Sequence, residues 1–445
     1  LGDAKSRLEL IFYLGSVPAI AKHVAGRCIK AASNLDRAKD WLYDCLRNHH
    51  HDLDEAAIRP SRLLAIGNAD GSESIKIVDG SGADKGYLAV SYRWGPETLL
   101  TATVTFELFH TSIPWKQLPR TFKDAINIAR ELGIDHVWIH SLCIIQDNLA
   151  DWETESAKMA DIYRGALLTI MAASTANSQQ GFFQDRAITK EMVALPYADA
   201  SGATELSVFV SKALPSFQNF VHTAALFRRG WIFQERLMSR RKLIFGKYET
   251  YWECGGIVQS ESGIENRDIS YLSQNAYFRL FSHPLPKMDG MLGPAVQTFL
   301  WKNVVQEYSL CVLTYGADRL PALSGLARTF AQQSGCSYAA GLWEDHMPQS
   351  LSWHILPHEG LKVTDKERYC APSWSWASTM GKVYYDFDFT SGKHELDVVN
   401  INIKLAGQNP YGRVCPGSSM CVRGRLRSGT LVKSAEGASK VWVGH

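Results

Sequence analysis

Asp135-His136-Val137-Trp138-Ile139-His140-Ser141-Leu142-Cys143-Ile144-Ile145-Gln146-Asp147, running into Asp151-Trp152 and then Glu155, is the stretch on which the fold turns. Its apolar run predicts a strand from His136 to Leu142 whose end brings His140, Cys143, Gln146 and Asp147 to one point. A helix from about Asp151 to Arg164 follows, with Trp152, Met159 and Tyr163 spaced along one face. Glu155 lies three residues after Trp152 and four before Met159, so it shares that face; Glu153 and Lys158 are expected to point elsewhere. A strand that delivers polar residues at its carboxyl end is how an open parallel sheet builds a ligand site.

The neighbouring segments fit the same scheme. Tyr87-Leu88-Ala89-Val90-Ser91-Tyr92 and Leu167-Leu168-Thr169-Ile170-Met171-Ala172 are nearly continuous apolar strands, the kind buried on both faces. Between the first of these and the central strand, Phe122, Ala125, Ile126 and Ala129 mark a helix opened by Pro119 and closed by Gly133. The fold class is therefore α/β, a small doubly wound parallel sheet core with a helical N-terminal segment and a mixed α+β C-terminal region. Four regions are expected: a helical N-terminal segment (1–60), an α/β domain (61–240), a mixed, partly helical region (241–370) and a β-rich C-terminal region (371–445). Leu8 to Ile20 reads as a short amphipathic helix, and Ala38 to Leu46 as a second. Arg62 to Ile66 and Ser74 to Val78 read as strands around an Asn68-Ala69-Asp70-Gly71 turn.

Composition narrows the function. Lys plus Arg (47) nearly balances Asp plus Glu (45), which leaves no electrostatic footprint for nucleic acid. No apolar run reaches the roughly 18 residues of a membrane span. The nine cysteines are scattered without a CxxC pair, which suits a reducing, cytoplasmic setting. Ending just after the strand-like Lys440-Val441-Trp442-Val443 suggests that the natural chain continues past His445.

Several residues could carry chemistry. A carboxylate on a buried helix face must be paired or used. Glu155 is thus either neutralised by an arginine such as Arg93 or Arg229, or turned toward substrate. Ser91, Tyr92 and Arg93 end one strand and Ser141, Cys143, Gln146 and Asp147 follow the end of another; as neighbours at a topological switch point they would line one crevice. Cys143, flanked by apolar residues, reads equally as a core thiol, and His140 as a structural histidine. Cys45 with His49-His50-His51-Asp52 offers metal-ligand types but no second ligand pair nearby, so an exposed helix end and no metal are expected. Gly80-Ser81-Gly82 precedes a strand and lacks the setting of a dinucleotide loop, and no P-loop or GxSxG element occurs. The run Ala371-Pro372-Ser373-Trp374-Ser375-Trp376-Ala377-Ser378 reads as a packing seam.

Taken together these segments resemble the fungal heterokaryon-incompatibility (HET) domain family. Four blocks carry the likeness: Tyr87 to Gly95; Leu118-Pro119-Arg120-Thr121-Phe122 through Val137-Trp138-Ile139; Leu142 to Asp147 through Met159 and Ile162-Tyr163; and Arg229-Gly230-Trp231-Ile232-Phe233-Gln234-Glu235-Arg236-Leu237-Met238-Ser239. Weaker flanking matches are Trp41-Leu42 with Cys45 and His49, Pro60-Ser61-Arg62-Leu63, Asp318 to Gly325, and Pro372 to Ala377. The resemblance implies regulated cell death after non-self recognition, and a distant likeness to TIR domains, some of which hydrolyse NAD. It would make Ser91-Tyr92-Arg93 the end of the first TIR-like strand and Glu155 the counterpart of the TIR catalytic glutamate, with a spacing from Trp152 that differs by one residue from the TIR pattern. His140 stands where most HET domains have Asp after Trp-Ile, exchanging an acceptor-only carboxylate for an imidazole.

Three functions are consistent with these residues. The first is a cell-death effector cleaving NAD-type nucleotides, with Glu155 stabilising charge that develops on the ribose and Arg93 or Arg229 holding phosphates. The second is a HET scaffold diverted to secondary metabolism, with His140, Cys143, Asp147 or Glu155 steering proton transfer on a small organic substrate. The third is a non-catalytic interaction module. Ser91, Tyr92, Arg93, Trp94, Gln146, Arg229, Gln234 and Glu235 are the expected binding residues, with no cofactor required and NAD as a candidate substrate. The expected partners are a nucleotide or other small molecule, a second copy of the chain, or a cell-death signalling protein.

Overall fold

A computed structural model of the chain describes residues 10–15, 35–49, 51, 59–67, 74–83, 86–184, 193–197, 206–212, 215–255, 257–261, 281, 294–355, 369–385, 396–425, 429–433 and 439–443. It divides into two compact units, Leu1–Phe227 with Met238–Gln274, and Arg228–Leu237 with Asn275–His445.

The first unit is built on an eight-stranded sheet. Its strands are β2 (Arg62–Ala65), β3 (Lys76–Asp79), β4 (Leu88–Ser91), β5 (His136–Ile139), β6 (Leu168–Met171), β9 (Arg241–Phe245), β10 (Thr250–Cys254) and β11 (Ile257–Ser260). They lie in the order β11-β10-β9-β6-β4-β5-β2-β3. The inner four, β9-β6-β4-β5, run parallel, and every residue of β4 and β6 is buried. Antiparallel pairs extend both sides, so the parallel core predicted from sequence sits inside a larger mixed sheet.

The connections set the geometry. From β4 the chain passes through α2 (Arg120–Glu131) to β5, then through α3 (Leu149–Gly165) to β6 on the opposite side of β4. Pro119 is the N-cap of α2, and Gly133 closes it with a φ of 69°. Tyr87 donates its hydroxyl to the Ile162 carbonyl of α3 at 2.6 Å, whereas the Tyr92 ring meets Phe122 of α2 at 5.0 Å. Tyr87 and Tyr92 differ in strand parity, so the two helices cover opposite faces, as a doubly wound sheet requires. The order in which the chain lays down its parallel strands reverses between β4 and β6: β5 is added on one side of β4 and β6 on the other. Ser91 and His140 do end adjacent parallel strands, with Val90 opposite Ile139, but the switch point lies on the other flank of β4.

One expectation is overturned. Leu10–Gly15 is a strand, β1, where a helix was expected; it pairs with β8 (Leu206–Lys212), which also pairs with β7 (Val193–Tyr197). Leu10-Ile11-Phe12-Tyr13 is rich in strand formers, and pairing outweighs the local helical pattern. Helix α1 (Asp36–Asn48) forms as read, burying Trp41, Leu42 and Cys45. The Asn68–Gly71 turn lies outside the described residues.

The second unit includes α4 (Gly230–Met238, up to Leu237), α5 (Pro294–Ser309) and α6 (Ser324–Ser334). Trp301, Trp343 and Trp376 are among its fully buried side chains. The indoles of Trp301 and Trp376 both donate to the Gly341 carbonyl, at 2.9 and 2.8 Å. Gly341 adopts a φ of 97°, and a Cβ there would lie 2.8 Å from Trp376 Nε1, so this crossing admits only glycine. No described helix is long and apolar enough to cross a membrane.

Candidate functional site

Register decides which side chains share a face. Ala89 lies opposite Trp138, and Leu64 lies opposite Val137. Ser91, Trp138, His140, Leu63 and Ser61 therefore all point to one side of the sheet. It is the α3 side, because the Trp138 ring meets Tyr163 at 5.4 Å and Ser61 meets Glu155. Ser91, His140 and Ser61 form a row along the carboxyl edge of β4 and β5 and the facing end of β2, spanning about 10 Å at ordinary strand spacing.

Glu155 looks onto this row from the first half of α3. It is 1% exposed. Oε1 accepts from Ser61 Oγ at 2.7 Å and from Lys158 Nζ at 2.9 Å; Lys158 also donates to Ser61 Oγ at 2.8 Å. The neutralising cation is thus Lys158, expected to point away, and not Arg93 or Arg229. Oε2 is buried without a hydrogen-bond partner among the described residues. The same holds for Ser91 Oγ and Trp138 Nε1. Leaving a buried polar atom unpaired costs about 1–3 kcal/mol. Three such atoms on one face of one sheet edge are therefore a reason to look for a ligand there.

The surrounding residues hold this arrangement. Arg62 grips Asp151 through both carboxylate oxygens at 2.7 and 2.6 Å and donates from Nε to the Cys143 carbonyl at 2.8 Å. Asp151 in turn accepts from the Ile145 amide at 2.8 Å. Gln146 donates its side-chain amide to the carbonyls of His140 (2.9 Å) and Ile144 (3.0 Å), closing the loop after β5. Asp147 is exposed and accepts from the Thr103 amide and hydroxyl at 2.8 and 3.0 Å; these bonds hold its carboxyl below the ordinary value. Tyr92 lies on the opposite face, its hydroxyl donating to Ser141 Oγ at 2.8 Å.

His140 opens a single helical turn, His140–Cys143, its ring between Trp94 at 5.3 Å and Trp138 at 6.0 Å. Trp94 is 38% exposed, so aromatic surface flanks the imidazole at the rim. Arg93 is half-buried and carries no hydrogen bond or ion pair to another described residue, leaving its guanidinium available. Cys143 is fully buried; burial pushes its thiol up to about 12, against the pull of the Ile139 backbone and Arg62. It is protonated at neutral pH.

Three expected binding residues belong to the second unit. Arg229 sits where the backbone pairs with Val312, Gln234 Oε1 accepts from the Gly325 amide at 2.7 Å, and Glu235 is buried. Ser61, Arg62, Asp151 and Lys158 were missed. The i, i+3 spacing of Glu155 and Lys158 was a visible signal for one of them; Ser61 and Arg62 belong to the flanking Pro60–Leu63 likeness, but their place beside Glu155 follows only from strand pairing.

A second cluster lies in the first unit. Cys45, at the end of α1, with His49, His51 and Cys254 place one ligand atom each within 4.8 Å of one another. The helix end is exposed as expected at Leu46, Arg47 and Asn48, but the ligand-type side chains turn inward: Cys45 and Cys254 are 0% exposed and His51 is 7%. The missing ligand came from β10, distant in sequence.

Residues 87–235 match the family model described as Heterokaryon incompatibility protein (HET). No curated protein and no solved structure matches the chain.

Proposed function

Starting from a chain that carries a HET domain over residues 87–235, we propose that it acts in heterokaryon incompatibility by cleaving an NAD-type nucleotide at the carboxyl edge of β4 and β5. The domain itself supports a role in heterokaryon incompatibility and the cell-death responses tied to it. The observation that carries the finer reading is Glu155, a buried carboxylate with one oxygen bonded and the other, Oε2, without a partner.

Breaking a ribosyl–nicotinamide bond builds positive charge on the ribose as the leaving group departs. In NAD the ring nitrogen already carries that charge, which passes to the ribose as neutral nicotinamide leaves and before water adds to the sugar; a fixed carboxylate beside the ribose in a water-poor setting favours that state over the ground state. In this reading Ser61 and Lys158 hold Oε1 so that Oε2 faces the sugar, Ser91 Oγ accepts or donates at a hydroxyl, and Arg93 takes a phosphate. Trp94 offers a surface for a ring to stack on. The test incubates the full chain with NAD and measures released nicotinamide. Turnover that collapses in a folded Glu155→Gln variant supports the assignment; undiminished turnover removes it, and no turnover in the wild type removes the nucleotide.

A second reading rests on His140. An imidazole flanked by Trp94 and Trp138 suits proton transfer on an aromatic or other apolar organic substrate, the diverted biosynthetic function. A product profile unchanged by His140→Ala would exclude it.

A further inference from the structure

Cys45, His49, His51 and Cys254 are a set of four soft and borderline ligands enclosed by one unit of the fold. His49 Nδ1 lies 3.1 Å from Cys254 Sγ, and His51 Nε2 lies 3.2 Å from Cys45 Sγ. A tetrahedral zinc with bonds of about 2.3 Å to sulfur and about 2.0 Å to nitrogen has ligand–ligand edges of roughly 3.3–3.8 Å. The two nitrogen–sulfur contacts fall slightly short of that range, and all four atoms lie within 4.8 Å of one another, so small side-chain adjustments would close the tetrahedron.

Hydrogen bonding alone does not account for this grouping well. Thiols are weak donors and acceptors, and four titratable groups have been drawn from two distant segments into a largely buried cluster. Local order supports a built site. Arg241 Nε donates to Cys45 Sγ at 3.2 Å, the kind of outer contact that orients a metal-bound thiolate. Trp41 of α1 stacks on Trp252 of β10 at 6.4 Å, fixing the two ligand-bearing elements against each other. Gly255, immediately after Cys254, adopts a φ of 53° and turns the chain into β11.

We propose that Cys45, His49, His51 and Cys254 bind a single structural zinc ion that clamps the end of α1 to β10. Both thiols give up their protons to solvent on binding and both imidazoles bind neutral, so a divalent ion makes a site of zero net charge. All four positions come from protein, which leaves no open coordination position and assigns the metal to stability instead of catalysis. Two sulfurs and two nitrogens in a tetrahedron select zinc over magnesium or calcium. This proposal is independent of the nucleotide reading.

The test is elemental analysis of the full chain purified without added chelator, followed by replacement of zinc with Co²⁺. One zinc per chain is expected, with cobalt giving the absorption of a tetrahedral site bearing two thiolates. Cys254→Ser and Cys45→Ser should each lower bound zinc to under roughly a tenth of the wild-type level. Should either variant fail to fold, His51→Cys decides: it keeps a four-ligand set, so metal is retained while the cobalt thiolate band strengthens. Overturning results are a metal-free wild type with both thiols open to alkylation, a Cys45–Cys254 disulfide in its mass, or a cobalt spectrum unmoved by His51→Cys.

Discussion

The Ser61 hydroxyl, one residue ahead of β2, donates to Oε1 of Glu155 on α3 at 2.7 Å, across 94 positions of sequence. Lys158 closes the triangle with both. Removing Ser61 takes one of two donors from the carboxylate and leaves the ion pair. Ser61→Ala should therefore keep the fold within about 1–2 kcal/mol of wild type while lowering nicotinamide release about tenfold, as a positioning residue would. Lys158→Met leaves a buried carboxylate uncompensated and should cost more, roughly 3 kcal/mol. Denaturation midpoints of the two variants check the order; equal losses would mean that the triangle is not organised around Glu155.

Arg62 joins β2 to the start of α3 through Asp151 and to the loop after β5 through the Cys143 carbonyl. Arg62→Ala should destabilise the first unit by roughly 2–4 kcal/mol, because Asp151 is left half-buried without its guanidinium. Arg62→Lys should recover only part of the loss, since one ammonium cannot reach the Asp151 carboxylate and the Cys143 carbonyl together as Nη2 and Nε do. Chemical denaturation of the three proteins is the measurement, and full rescue by lysine would refute the geometric account.

Cys143 should behave as packing. Its thiol, raised to about 12 by burial, should resist iodoacetamide at pH 8 in the native protein, where exposed Cys421 reacts. Cys143→Ala should cost about 1–2 kcal/mol and leave turnover within about twofold. A native Cys143 adduct found by peptide mass mapping would contradict this and reopen a nucleophilic role.

Asp124 gives a pH signature. Burial raises its carboxyl above the ordinary value, against the Phe182 amide bond and the Arg120 pair, which pull the other way. The unfolded chain then ionises first, so this group's contribution is fully present below about pH 4 and is lost as pH rises through the folded value. Asp124→Asn cannot ionise. Relative to that variant, the wild type should lose stability as pH rises above about 4; denaturation midpoints that move in the opposite sense would overturn the assignment.

What could be read without coordinates follows a physical divide. Leu88–Ser91, His136–Ile139 and Leu168–Met171 were legible because strands buried on both faces are continuous apolar runs, and Glu155 because helical spacing places it beside Met159 and Tyr163. Partners reached by strand pairing were not legible. Nothing local to Ser61 says that β2 lies antiparallel beside β5, and nothing near Cys45 names Cys254. Leu10–Gly15 was misread for the same reason, since its partner β8 lies far along the chain. Lys158 was the avoidable miss: its ammonium sits on a flexible stem that bends back to Glu155.

The limits of the matched stretch, 87–235, cut through the sheet. They keep β4, β5 and β6 but discard β2, which covers the outer side of β5, and β9, which covers β6. A fragment trimmed to those limits would carry two naked strand edges lined by Val137, Ile139, Ile170 and Met171, ready to dock onto a second copy. Expressed by itself it should therefore precipitate or stack, whereas fragments reaching from before Arg62 to beyond Ser260 keep every pairing of the eight-stranded sheet.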